Sequence, residues 1–209
     1  STLAVHAGAR PDPVTGARGT PIYQTTSFVF DDAEHGAELF NLQTFGYVYS
    51  RMTNPTVSVF EERVAQLEGG RGAVATSSGH AAQFIAAATL MEAGDEFIAS
   101  RNLYGGSVTQ FGVSFPKLGW KCNFVDPTDP ANFEKAMNDK VKFIFCEGVA
   151  NPGGIILDLE KIADIAHKHG VLLIVDNTLA SPYLLRPFEW GADLVVHSTT
   201  KFIGGHGNT

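Results

Sequence analysis

The stretch LEKIADIAHKHGVLLIVD, Leu159 to Asp176, joins a helical pattern over Leu159–His169 to a wholly apolar run, Val171–Val175, that stops at a carboxylate. Five apolar residues without polar alternation suit a strand covered on both faces, the condition of a parallel sheet packed between helices. The same alternation extends in both directions. Toward the N-terminus it predicts strands at Ala73–Thr76, Glu96–Ala99, Cys122–Val125 and Phe143–Cys146. Between them lie predicted helices at His80–Glu92, Gly106–Leu118 and Asn132–Asn138, and a last strand is expected at Leu194–His197. Strands and helices in turn imply an α/β fold with a mostly parallel sheet flanked by helices.

Farther upstream the text changes. Asn54-Pro55 opens a predicted helix in which Val59, Phe60, Val64 and Leu67 form one apolar stripe, and Gly69-Gly70 ends it. Residues 1–50 lack sustained periodicity and carry Pro11, Pro13 and Pro21, which point to an extended arm in need of a partner surface. The chain finishes on Gly204-Gly205-His206-Gly207-Asn208-Thr209, which reads as an interrupted polypeptide.

In a sheet of this kind ligands bind beyond the C-terminal ends of the strands. The polar groups expected there are Ser77-Ser78-Gly79, Asn151, Asp176-Asn177 and Ser198-Thr199-Thr200-Lys201. Ser78, Gly79 and His80 offer hydroxyl and backbone donors at a helix start, which suits a phosphate. Asp176 closes an apolar strand, so its charge needs a cation or several donors. Lys201 follows Leu194, Val195 and Val196 and precedes Phe202 and Ile203. A desolvated lysine becomes a neutral amine able to attack a carbonyl. Lysine, carboxylate and phosphate turn together are what a protein contributes to pyridoxal phosphate chemistry.

Composition narrows the alternatives. With 209 residues, 44% hydrophobic and 18% charged, the chain is globular, and a net charge of −7 without a basic block argues against nucleic acid as a partner. No apolar run approaches the roughly 20 residues of a membrane helix, so no membrane partner is expected and the cytoplasm is the default compartment. Cys122 and Cys146 lie in apolar runs without CxxC spacing and read as buried free thiols. His167 and His169 are two apart on a helix, His6, His35 and His206 lack ligand spacing, and no metal is expected.

Tyr49-Ser50-Arg51-Met52-Thr53-Asn54-Pro55-Thr56, Ser77-Ser78-Gly79, Tyr104-Gly105-Gly106, Asn151-Pro152, Val175-Asp176-Asn177-Thr178 and Ser198-Thr199-Thr200-Lys201 occur in this order. In that order they resemble the Cys/Met-metabolism pyridoxal-phosphate-dependent enzymes. The resemblance implies an aspartate-aminotransferase-like large domain of fold type I over residues 54–209, incomplete at its end and without the smaller C-terminal domain. It also implies a 1–53 arm that contributes to a neighbouring active site.

By the same resemblance Lys201 would hold pyridoxal 5'-phosphate as a Schiff base and shuttle protons, with Tyr104 and Tyr49 completing the catalytic set. Asp176 would keep the pyridine nitrogen protonated, Tyr104 would stack on the ring, and Asn151 would bond its phenolic oxygen. Ser78, Gly79, His80, Ser198 and Thr200 would bind the phosphate. Tyr49 and Arg51 would reach the phosphate of the adjacent subunit, which implies a homo-oligomer with shared sites, a dimer of dimers.

Two departures bear on the activity: His80 stands where relatives often carry methionine, and Gly106 stands where the methionine γ-lyase branch has cysteine. Glu147–Gly154 and His197–Gly207 are most similar to O-acetylhomoserine sulfhydrylases, which implies γ-replacement of acetate by sulfide. A γ-synthase or γ-lyase acting on cystathionine shares the same residues, and a non-catalytic cofactor-binding or dimerisation piece fits the length. A nucleotide-binding Rossmann domain fits the alternation, although no GxGxxG opens a helix.

Overall fold

The computed structural model describes residues 2–207. The chain divides into two compact units, Ser1–Ala75 and Thr76–Thr209.

The first unit is built on short elements. Helix α1 is Thr2–His6, α2 is Ala33–Phe40 and α3 is Pro55–Glu68. Helix α3 forms where predicted because both ends are capped: the Asn54 side chain accepts from Thr56 N at 2.9 Å, and Gly69 takes the left-handed φ of 77°. The same Asn54 donates to the Tyr23 carbonyl at 2.9 Å, so the cap also pins the extended segment before it. At the other end, Arg63 Nε donates to the Ala7 carbonyl at 3.0 Å. A single antiparallel bridge joins Ser27 to Tyr49.

The second unit holds helix α4 at Gly79–Leu90, strand β1 at Glu96–Ser100, helix α5 at Gly105–Thr109, strand β2 at Lys121–Val125 and helix α6 at Ala131–Lys135. Strand β3 at Val141–Glu147, helix α7 at Leu159–Lys168, strand β4 at Leu172–Asp176, helix α8 at Ser181–Leu184 and strand β5 at Leu194–Val196 complete it. All pairings are parallel, in the order β2-β1-β3-β4-β5.

The apolar strands bury two cores because successive side chains face opposite ways. Ile98, Ile144, Cys146, Leu173 and Val175 pack with Ile162, Ala163 and Ala166 of α7. On the other face Phe97, Phe143, Phe145 and Ile174 pack with Phe111, Phe115 and Trp120. Phe97 stacks on Phe143 with centroids 4.7 Å apart, and Phe111 meets Phe145 edge-on at 4.9 Å. Glu147 and Asp176 continue the Phe143-Phe145 and Ile174 rows, so both carboxylates lie at strand ends on this second face.

Three local expectations are corrected. Ala73–Thr76 is not a strand: it has no regular secondary structure, pairs with no strand among the described residues, and exposes Val74. The helix expected over Gly106–Leu118 is α5 followed by a π turn at Gln110–Ser114 and a 3-10 turn at Phe115–Leu118. Pro116 has no N–H with which to continue the α register. Helix α6 stops before Asn138, whose side chain accepts from Lys140 N at 2.9 Å in a local turn. Both cysteines are free thiols; Cys146 is buried and Cys122 partly so.

Candidate cofactor site

A cavity of about 250 Å³ opens at the C-terminal edge of the sheet. Its lining includes Ser78, Gly79, His80, Tyr104, Asn151, Asp176, Ser198, Thr200 and Lys201, so nine of the eleven residues expected from the sequence converge there. The other two, Tyr49 and Arg51, belong to the first unit, where the Arg51 guanidinium lies 5.6 Å from the centroid of the Tyr49 ring.

Each wall follows from the fold. Ser78 caps α4 by accepting from Ala81 N at 3.1 Å, which leaves the amides of Gly79 and His80 at the first turn without an intrahelical acceptor. A Cβ on Gly79 would come within 2.8 Å of Ser198 Cβ, so glycine lets α4 approach the turn after β5. Ser198 N in turn donates to Thr178 Oγ1 at 2.8 Å, joining the segments after β4 and β5. The unpaired amides of Gly79 and His80 make an anion cradle.

Asp176 is held by Thr178 N on Oδ1 at 2.9 Å and by Gln83 Nε2 on Oδ2 at 3.0 Å. Gln83 is buried on α4 and also donates to Ser107 Oγ at 3.0 Å. Neutral donors leave the carboxylate its full charge, which a cationic nitrogen can complement. The Tyr104 and His80 rings lie 5.9 Å apart, tilted by 37°.

Lys201 departs from expectation. Its side chain lines the cavity but is exposed, because the residues that follow β5 form turns at the surface and do not fold back over it. Burial of this amine is therefore not supplied by the described residues.

Glu147, Gln83 and Thr178 were not singled out from the sequence. Glu147 is 5% exposed and bonds the backbones of Tyr104 and Asn151. Burial pushes its carboxyl up to about 7, with the Asp176 charge acting in the same direction against the pull of the two N–H donors. The available signal was a polar side chain within an otherwise apolar element: Gln83 in an alanine-rich helix and Glu147 at the end of Phe143–Cys146. Among the described residues no group of three His, Cys, Asp or Glu side chains is placed to hold a metal. None of their helices is long and apolar enough to cross a membrane.

A parallel sheet with an anion cradle, a charged carboxylate and a primary amine at one rim defines a class: α/β proteins that hold a phosphorylated, cationic heteroaromatic cofactor. The chain belongs to the Cys/Met metabolism PLP-dependent enzyme family, whose profile matches residues 1–209. The residues present fit pyridoxal phosphate in donor chemistry and in the cradle opened by Gly79.

The chain is 51% identical over 208 residues to an O-acetyl-L-homoserine sulfhydrylase of Leptospira meyeri, covering 100% of this chain and 47% of the relative. It is 49% identical over 209 residues to a homocysteine synthase of Schizosaccharomyces pombe, covering 100% of this chain and 49% of that protein. A crystal structure from Campylobacter jejuni, described as an O-acetylhomoserine (thiol)-lyase with N'-pyridoxyl-lysine-5'-monophosphate, matches with a TM-score of 0.96 at 39% identity. That match covers 100% of this chain and 51% of the other. The chain thus spans about half the length of these relatives.

Proposed function

We propose that this chain supplies the cofactor-binding part of an O-acetylhomoserine sulfhydrylase, which converts O-acetyl-L-homoserine and sulfide into L-homocysteine and acetate for methionine and cysteine biosynthesis. The observation that carries the reading is the meeting of Asp176, Lys201 and the Ser78-capped helix start in one cavity, in a chain 51% identical to such an enzyme.

Pyridoxal phosphate, when bound, supplies an electron sink for the substrate's Cα. Asp176 keeps its pyridine nitrogen protonated, and the amides of Gly79 and His80 with the hydroxyls of Ser198 and Thr200 receive the phosphate. Tyr104 orients the ring through its face, and Asn151 bonds the phenolic oxygen. Lys201 is the residue that would hold the cofactor covalently and whose amine would be freed to act as a base when substrate binds. Its free Nζ would then take the substrate's Cα proton, hand that proton on so that the amine is neutral again, and take a Cβ proton, which would allow acetate to leave Cγ with the electrons of the C–O bond. Hydrosulfide forms the new Cγ–S bond, and Lys201 returns protons to Cβ and Cα.

Tyr49 and Arg51 act on the phosphate of a second copy, for which the fixed fork of arginine is suited. Exposure of Val14, Ile22, Val29, Leu42 and Phe45 at 83% or more in the first unit supports association with another surface, and the arrangement we propose for it is a dimer of dimers with shared sites. The cytoplasm is the proposed compartment.

The test uses the full-length protein saturated with pyridoxal phosphate. A visible absorption band that changes on adding O-acetylhomoserine, with turnover faster on sulfide than on cysteine or cystathionine, is the expected result. Preference for cystathionine would move the assignment to a γ-synthase or γ-lyase. A folded protein without any band would leave a non-catalytic role.

Gly106 gives a local check on the ring's seat. A Cβ there would come within 2.6 Å of both His80 Cε1 and Tyr104 Cε1. Because both rings are exposed and can turn aside, Gly106→Ala is expected to alter stability by less than about 1 kcal/mol. It should nevertheless lower kcat/KM about 10- to 100-fold by displacing Tyr104. Denaturant unfolding and steady-state kinetics on the same preparation separate the two effects.

A further inference from the structure

The strand order reverses between β1 and β3, so the connections leaving these neighbouring strands diverge and open a crevice between them. Tyr104 lies after β1, and Asn151 lies after β3. The only side chain described as bonding both is Glu147, the last residue of β3: Oε1 accepts from Tyr104 N at 2.6 Å and Oε2 from Asn151 N at 2.8 Å. An ionised carboxylate is an acceptor at both oxygens, so it can serve two N–H donors on separate oxygens, whereas an amide of the same reach has one oxygen and sets an NH₂ group in the second place.

We infer that Glu147 is a positioning residue: its carboxylate clamps the Tyr104 and Asn151 loops at a set separation across the crevice, and so aims the Tyr104 ring and the Asn151 amide into the cavity. The inference rests on the reading of this cavity as the cofactor site. Glu147 and Asp176 are register partners on adjacent strands, so the clamp stands directly beside the second carboxylate. The other titratable groups lining the cavity are His80, Tyr104 and Lys201. With burial raising its carboxyl to about 7, the clamp is charged and closed above neutrality and loses acceptor strength below it.

The replacements discriminate cleanly. Glu147→Gln keeps the volume but sets an NH₂ group against one of the two N–H donors, so one loop is released. Glu147→Asp keeps the charge but withdraws it by one methylene, and serves as the second variant should the first fold poorly. Hydrogen exchange at the Tyr104 and Asn151 amides of the full-length protein, with and without pyridoxal phosphate, reads the clamp directly.

The expected result is a loss of protection of at least about tenfold at one or both amides in either variant, with amides of β4 unchanged. In the holoenzyme the wild type is expected to show a limb near pH 7 in kcat/KM, and Glu147→Gln should abolish it. Wild-type protection at both amides in a folded variant, or loss of global stability with an unaltered pH profile, overturns the clamp. Absence of a cofactor band in the wild type overturns the functional reading instead, and the exchange result on the unloaded protein still decides the clamp.

Discussion

Replacing Lys201 with alanine in the full-length protein should lower kcat by at least about four orders of magnitude, because one amine is asked both to attach the cofactor and to carry two protons. The fold should survive. The lysine side chain is exposed, and the residue enters the turn only through its backbone: Lys201 N bonds Ser198 O at 3.4 Å, and its own carbonyl accepts from Gly205 N at 2.8 Å. Both bonds are available to alanine. The check is the visible spectrum of cofactor-saturated protein beside single-turnover kinetics. Loss of the lysine-linked band with unchanged circular dichroism is the expected pair of outcomes, and partial rescue by a small primary amine would locate the defect in the missing nitrogen. Turnover within tenfold of wild type would remove Lys201 from the chemistry.

The second large effect is expected at Asp176. Asp176→Asn preserves shape, and the remaining oxygen can still accept from Thr178 N. The Gln83 amide can turn over to meet the new NH₂, because Gln83 Oε1 has no partner in the present arrangement. Stability should therefore change by no more than about 1 kcal/mol. The charge is lost all the same, and with it the group that keeps the pyridine nitrogen protonated. Removal of one preorganised electrostatic partner in such a site costs about 10²- to 10³-fold in kcat. A pH titration of the bound cofactor's absorption, compared with the wild type, would show whether that proton is lost at lower pH. An unchanged kcat would mean that the carboxylate is structural, one more capped strand end.

Much of this site was legible because its residues stand next to strong local signals. Asp176 is marked by the apolar run it terminates, Ser78 by the helix it caps, and Lys201 by the apolar strand before it. Gln83 and Glu147, to which the sequence assigned no role in the site, act through partners far away in sequence. Gln83 and Asp176 are 93 positions apart, and Glu147 and Tyr104 are 43 apart. No periodicity encodes such pairs. The one expectation that failed as a strand, Ala73–Thr76, failed because strand propensity is realised only when a neighbour takes up its backbone donors and acceptors.

The sequence by itself determined the class of sheet, the order of its strands along the chain and the residue types at their ends, because apolar periodicity and capping act over a few residues. Tertiary structure alone decided that β3 lies beside β1 while β2 lies on the far side of β1, which opens the crevice. It also decided that the amides of Tyr104 and Asn151 turn inward onto one buried carboxylate. The reason is physical: a strand's neighbours are chosen by the packing of two whole cores, and only that choice brings distant polar groups within the 3 Å or so over which a hydrogen bond acts.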